Sequence, residues 1–119
     1  MNLDRFQEVN AERGRRWHQG DLSQWSPLEW AGAMAGEAGE AANVAKKLRR
    51  LDLALPNKDA GLTQADAAPL KEKLAEECAD TVIYALLLMS LMGVNASDVI
   101  ERVFDRKSVE YGFPERARG

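Results

Sequence analysis

Apolar positions along the chain recur with the period of a helix, and no stretch alternates as a strand would. Leu3, Phe6, Asn10, Arg13 and Trp17 stand three or four apart, which predicts a first helix from Leu3 to His18 with these side chains on one face. Gly20 and Asp21 break that pattern. Ser26 is a good N-cap, Pro27 suits a first helical position, and Glu29 occupies the capping-box position. A second helix is therefore expected from Pro27 to about Arg50. The stretch from Asp52 to Asp66 contains Pro56, Asn57 and Gly61 and is expected to be an exposed loop. A third helix starts near Asp66, with Pro69 tolerable in its first turn, and ends at Gly93. Asn95, followed three residues later by Asp98, caps a fourth helix that ends near Gly112, before Pro114. Residues beyond Pro114 form a tail or a partner-docking arm.

From Thr81 to Met92 the third helix is apolar on all sides, as expected for the middle helix of a bundle. That run is too short to span a bilayer. The predicted architecture is all-α: an antiparallel bundle of about four helices, with residues 1–119 as one domain. A monomer of this size buries a modest core, so helix packing across a dimer interface would help it.

Composition narrows the function classes. With 45% hydrophobic and 29% charged residues the chain is of globular type, not disordered. A net charge of -3 leaves no basic footprint for duplex nucleic acid. Cys78 is the only cysteine, so no intrachain disulfide can form, which fits a reducing cytoplasm. Its default role is inert packing. The stretch from Met1 to Arg16 is polar and mixed in charge and does not read as a signal peptide.

The informative feature is where the acids fall. On the second helix Trp30, Met34, Ala41, Val44 and Leu48 form one apolar stripe; Glu37 lies inside it and Glu40 at its edge. Small residues around them, including Gly36 and Gly39, allow close approach. On the third helix Glu77, Asp80 and Tyr84 share a face with Leu87, Leu88 and Leu91. An i,i+3 acidic pair is usually a solvated helix face. Two such pairs on the apolar sides of their helices are different, because an unpaired carboxylate facing a core is costly. Brought together, four carboxylates repel one another and call for a cation. Oxygen-only ligands suit Mg²⁺, Mn²⁺ or Ca²⁺, and Mg²⁺ typically binds through carboxylates plus substrate phosphates.

These residues resemble the MazG-like nucleotide pyrophosphohydrolases. The family's ExxE motif is matched by Glu37-Ala38-Gly39-Glu40 and its later ExxD motif by Glu77-Cys78-Ala79-Asp80. The flanks, from Ala35 to Asn43 and from Glu76 to Tyr84, are also similar, as is the ending Tyr111-Gly112-Phe113-Pro114-Glu115-Arg116. The N-terminal text Asn10, Trp17, Trp25-Ser26-Pro27 and Trp30 looks like the phage-encoded branch, including the MazZ type that acts on purine deoxynucleotides. Gly36 departs from the pattern, since the family often has a further glutamate there.

The resemblance implies hydrolysis of a (deoxy)nucleoside triphosphate to the monophosphate and pyrophosphate, with dGTP or dATP favoured. It implies Mg²⁺, with Mn²⁺ able to substitute, and a homodimer or dimer of dimers. The compartment would be the cytoplasm, or the host cytoplasm if the chain is phage-encoded. Glu37, Glu40, Glu77 and Asp80 would be metal ligands, and Glu37 or Glu40 would orient or deprotonate a water. Lys47, Arg106 and Lys107 are candidates for the phosphates, and Asn10, Arg13, Trp17, Trp25 and Tyr84 for the base. Each of these has a plainer alternative as a surface cation or a packing residue. A helical dUTPase, a dCTPase-like enzyme, a phosphoribosyl-ATP pyrophosphatase and a general housecleaning pyrophosphatase would share the metal chemistry. Outside catalysis, the alternatives are a nucleotide or metal sensor and a helical interaction protein. His18 follows the first apolar stripe and reads as a helix-end residue.

Overall fold

The structure is a computed structural model and describes residues 1–56 and 61–118. It contains four α-helices, α1 (Leu3–Trp17), α2 (Pro27–Asp52), α3 (Ala67–Leu91) and α4 (Ala96–Tyr111), with short 3-10 turns at Leu22–Gln24 and Gln64–Asp66. No strand occurs among the described residues. The helix-period reading is therefore correct, with ends that differ by a few residues. The stretch from Gln64 to Asp66 starts as a tighter turn because Thr63 and Asp66 cap it reciprocally through side chain and backbone. Asn57, one of the expected turn residues, lies outside the described residues.

The chain divides into two compact units, Met1–Pro27 with Leu86–Gly119, and Leu28–Ala85. In the first, Gln7 on α1 ties together the turn between α3 and α4. Its Nε2 donates to Val94 O at 2.8 Å and to Ser90 Oγ at 3.3 Å, while its Oε1 accepts from Ala96 N at 2.8 Å. A buried N–H at the start of a helix has no intrahelical acceptor, and Gln7 supplies one. Asn95 caps α4 through the Asp98 N–H, and Gly112 ends it at φ 73°, a left-handed conformation that glycine adopts without strain. Ala11, Leu22, Leu86, Leu87 and Ala96 are buried around this joint. Gly14 is required there, since a Cβ would lie 2.7 Å from Leu87 Cδ2 and 3.0 Å from Leu22 Cδ2. The tail is folded onto α4: Ala117 N donates to Asp105, and the Arg118 side chain meets Glu101 at 3.3 Å.

In the second unit α2 and α3 form an antiparallel hairpin. Gln64 Nε2 donates to Leu51 O at 2.7 Å, Glu40 and Glu77 approach one another in the middle, and the Trp30 and Tyr84 rings lie 6.1 Å apart at the other end. Partners thus run in opposite chain order. Trp30, Val44 and Leu51 are buried in this unit.

Two expectations about faces need correction. The run from Thr81 to Met92 is not enclosed all round: Leu86 and Leu87 are buried, but Val82 and Met92 are exposed. Trp17 is also exposed, and the Arg13 guanidinium sits 5.2 Å from its ring centroid. Periodicity placed Trp17 on the stripe, but it is the last residue of α1, where the helix ends and little packs over it.

Candidate metal centre in the second unit

Glu37, Glu40 and Glu77 each offer a carboxylate oxygen, and these atoms all lie within 4.8 Å of one another. The cluster follows directly from the hairpin, which sets the middle of α2 against the middle of α3. The burial is graded: Glu77 is buried, Glu37 half-buried and Glu40 exposed. Asp80 lies one turn beyond Glu77, is exposed and stands outside this group of three. Its charge still reaches Glu37.

Glu77 carries the strongest chemical signal. Its side chain is 5% exposed, and its Oε1 accepts from Lys73 Nζ at 2.9 Å. Its Oε2 is buried and has no hydrogen-bond partner. A buried carboxylate oxygen without a partner is an unmet demand for a donor or a cation. Three converging carboxylates, all hard oxygen donors, fit Mg²⁺ or Mn²⁺ and do not fit a soft thiophilic metal. Glu37, Glu40 and Glu77 would be the first ligands, with Asp80 next along the helix.

The protonation pattern agrees with crowding of negative charge. Burial, then the neighbouring charge of Glu40 and the proximity of Glu77, hold the Glu37 carboxyl above its usual range. The Lys73 ammonium holds Glu77 below its usual range, and Glu77 in turn raises Lys73.

A cleft of about 320 Å³ adjoins the cluster, lined by Glu40, Asn43, Val44, Lys47, Lys73 and Glu77. Lys47, expected at the phosphates, is therefore beside the carboxylates. Lys73 and Asn43 were missed by the sequence reading. A signal existed for both: Lys73 is four residues before Glu77 and Asn43 three after Glu40, so each shares a helix face with an acid. Tyr84 is half-buried against Trp30 in the same unit.

The remaining candidates belong to the first unit. Arg106 and Lys107 are exposed on α4, and Lys107 borders a groove formed with the apolar residues Met89, Val99, Ile100, Val103 and Phe104. Asn10 is buried, Arg13 and Trp17 are exposed and stacked, and Trp25 packs edge-on against His18 with centroids 4.9 Å apart. Cys78 is exposed, contrary to the packing role expected of it, because it faces away from the side of α3 that carries Glu77. Gly36 and Gly39 have nothing within 4 Å of where a Cβ would stand, so close approach within the chain does not explain them. No single helix among the described residues is long and apolar enough to cross a membrane. No family model, curated protein or solved structure matches this chain.

Proposed function

We propose that this chain is a divalent-metal-dependent nucleoside triphosphate pyrophosphohydrolase of MazG-like type. It would cleave a (deoxy)nucleoside triphosphate to the monophosphate and pyrophosphate, with purine deoxynucleotides favoured. The observation that carries this reading is the partnerless buried oxygen of Glu77, set beside Glu37 and Glu40. Glu37, Glu40, Glu77 and Asp80 hold Mg²⁺, or Mn²⁺ in its place. When bound, such an ion neutralises phosphate charge and acidifies water. Glu37 or Glu40 orients the attacking water and takes its proton. Lys47 faces the same cleft and balances charge on the pyrophosphate as it leaves. Tyr84, in the same unit as the carboxylates, offers a ring to the base.

The assembly we infer is a homodimer or a dimer of dimers. Support comes from the large apolar side chains left exposed, among them Val82, Ile100, Phe104, Tyr111 and Phe113.

The test is pyrophosphate release with Mg²⁺ across all common NTPs and dNTPs. The expected result is turnover with dGTP or dATP ahead of the pyrimidines. A preference for dUTP or dCTP would select the corresponding relatives, and equal rates would select a housecleaning role. Absence of turnover with both Mg²⁺ and Mn²⁺ would overturn the enzymatic reading. The exposure of Asp80, outside the group of three, favours one second reading: a nucleotide or metal sensor that binds without hydrolysis. Single-turnover measurement separates them, since a sensor retains its triphosphate intact.

A further inference from the structure

We propose that Lys73 is a resident counter-cation of the carboxylate cluster, which opposes entry of a bare divalent ion and yields when a polyphosphate arrives. This rests on the metal-dependent reading above and adds an order to it: cation and phosphate enter together.

Lys73 Nζ lies 2.9 Å from Glu77 Oε1, on the same carboxylate whose Oε2 is buried and unpartnered. Its side chain is 56% exposed, so a solvated stem delivers the ammonium inward to an almost fully buried acid. Helix stabilisation is the smaller part of the pair's meaning. On a helix the stronger i,i+4 order places glutamate before lysine, and here lysine comes first. The ammonium is directed to the cleft that Glu40, Asn43 and Lys47 also line.

Two ammonium groups, Lys73 and Lys47, line the cleft against three carboxylates, and Lys73 is the one seen on Glu77 itself. A divalent ion that binds Glu77 must displace Lys73 or share the carboxylate with it, and either weakens binding of the bare ion. Lysine carries a compact charge with three donors on a flexible stem, so it can exchange acceptors without disturbing the helix. A polyphosphate in the cleft offers those acceptors. Lys73 would then oppose the cation when the cation comes alone and hold the phosphates when both come together.

The experiment compares the full-length wild type with Lys73→Met and Lys73→Gln, using Lys71→Met as an exposed control on the same helix. Free Mn²⁺ is titrated alone by electron paramagnetic resonance, and a preformed Mn²⁺–inorganic triphosphate complex by calorimetry. Both Lys73 variants should bind Mn²⁺ alone roughly two- to five-fold more tightly, the range open to a partly exposed pair. Both should bind the Mn²⁺–triphosphate complex about ten-fold more weakly, while Lys71→Met changes neither. Unchanged or weaker Mn²⁺ binding by the Lys73 variants would overturn the role of Lys73, as would unchanged binding of the complex. In those cases Mn²⁺ binding by the wild type would leave the metal reading standing. If no protein binds Mn²⁺ in either form, the metal reading falls and the Lys73 proposal falls with it.

Discussion

The proposed chemistry turns on Glu77. Lys73 pairs with one oxygen of this buried carboxylate, and the other oxygen has no hydrogen-bond partner. Replacing Glu77 with glutamine keeps the shape and removes the charge. Glu77→Gln should fold and should lower kcat/KM by at least about 100-fold, measured as Mg²⁺-dependent pyrophosphate release. Glu37 makes the opposite prediction for stability. Its carboxyl titrates above its unfolded value, so the folded metal-free protein holds that proton more tightly than the unfolded chain does. Its contribution is neutral below the unfolded value and becomes unfavourable as pH rises through the folded one. Glu37→Gln should therefore melt at a higher temperature than wild type at neutral pH in chelator, with the gain fading in acid below about pH 4.5. Glu77 has the reverse sign: its pKa is depressed by Lys73, so its stabilisation is present at neutral pH and disappears as pH falls through the lowered value. In the proposed metal site a proton and Mn²⁺ compete for Glu37, so Mn²⁺ affinity should decrease as pH drops through that group's range. A pH-independent affinity would contradict this.

At the scale of elements, the joint around α1 and α4 depends on one amide and one glycine. Gln7→Leu removes three hydrogen bonds and leaves the Ala96 N–H and Val94 carbonyl unpaired, at an expected cost of about 2–4 kcal/mol in urea unfolding. Gly14→Val forces branched carbons against Leu87 and Leu22 and should cost about 2–3 kcal/mol. Gly32 on α2 is the contrast, with nothing within 4 Å of a Cβ. Gly32→Ala should gain up to about 1 kcal/mol from helix propensity in the isolated chain. If Gly32→Ala instead destabilised the assembled protein, that face of α2 would be in contact with a partner copy.

At the scale of the whole molecule, the fully buried apolar set is small: Trp30 is the only large side chain among the described residues with almost no exposure. Several aromatic and aliphatic side chains lie open instead, and a chain of this length gains from burying them against another copy. Sedimentation equilibrium should return a dimer or a tetramer at micromolar concentration. A monomer throughout that range would remove the proposed assembly without touching the carboxylate cluster, since Glu37, Glu40 and Glu77 all come from one chain.

The four helices and the caps Asn95 and Gly112 were legible in the sequence, because helical periodicity and capping are local properties carried by neighbouring residues. Spacing also singled out Glu37, Glu40 and Glu77, whose carboxylates converge in the structure, but the inward face expected for Glu40 and Asp80 is not seen, since both are exposed. Exposure was not legible. Trp17, Val82 and Cys78 stand open because burial depends on what arrives from distant parts of the chain, and a stripe records only where a side chain points along its own helix. The ion pair of Lys73 with Glu77, the partnerless oxygen and the separation of Asp80 from the other three acids were settled by packing. They depend on ångström distances across a helical hairpin, which no one-dimensional spacing encodes.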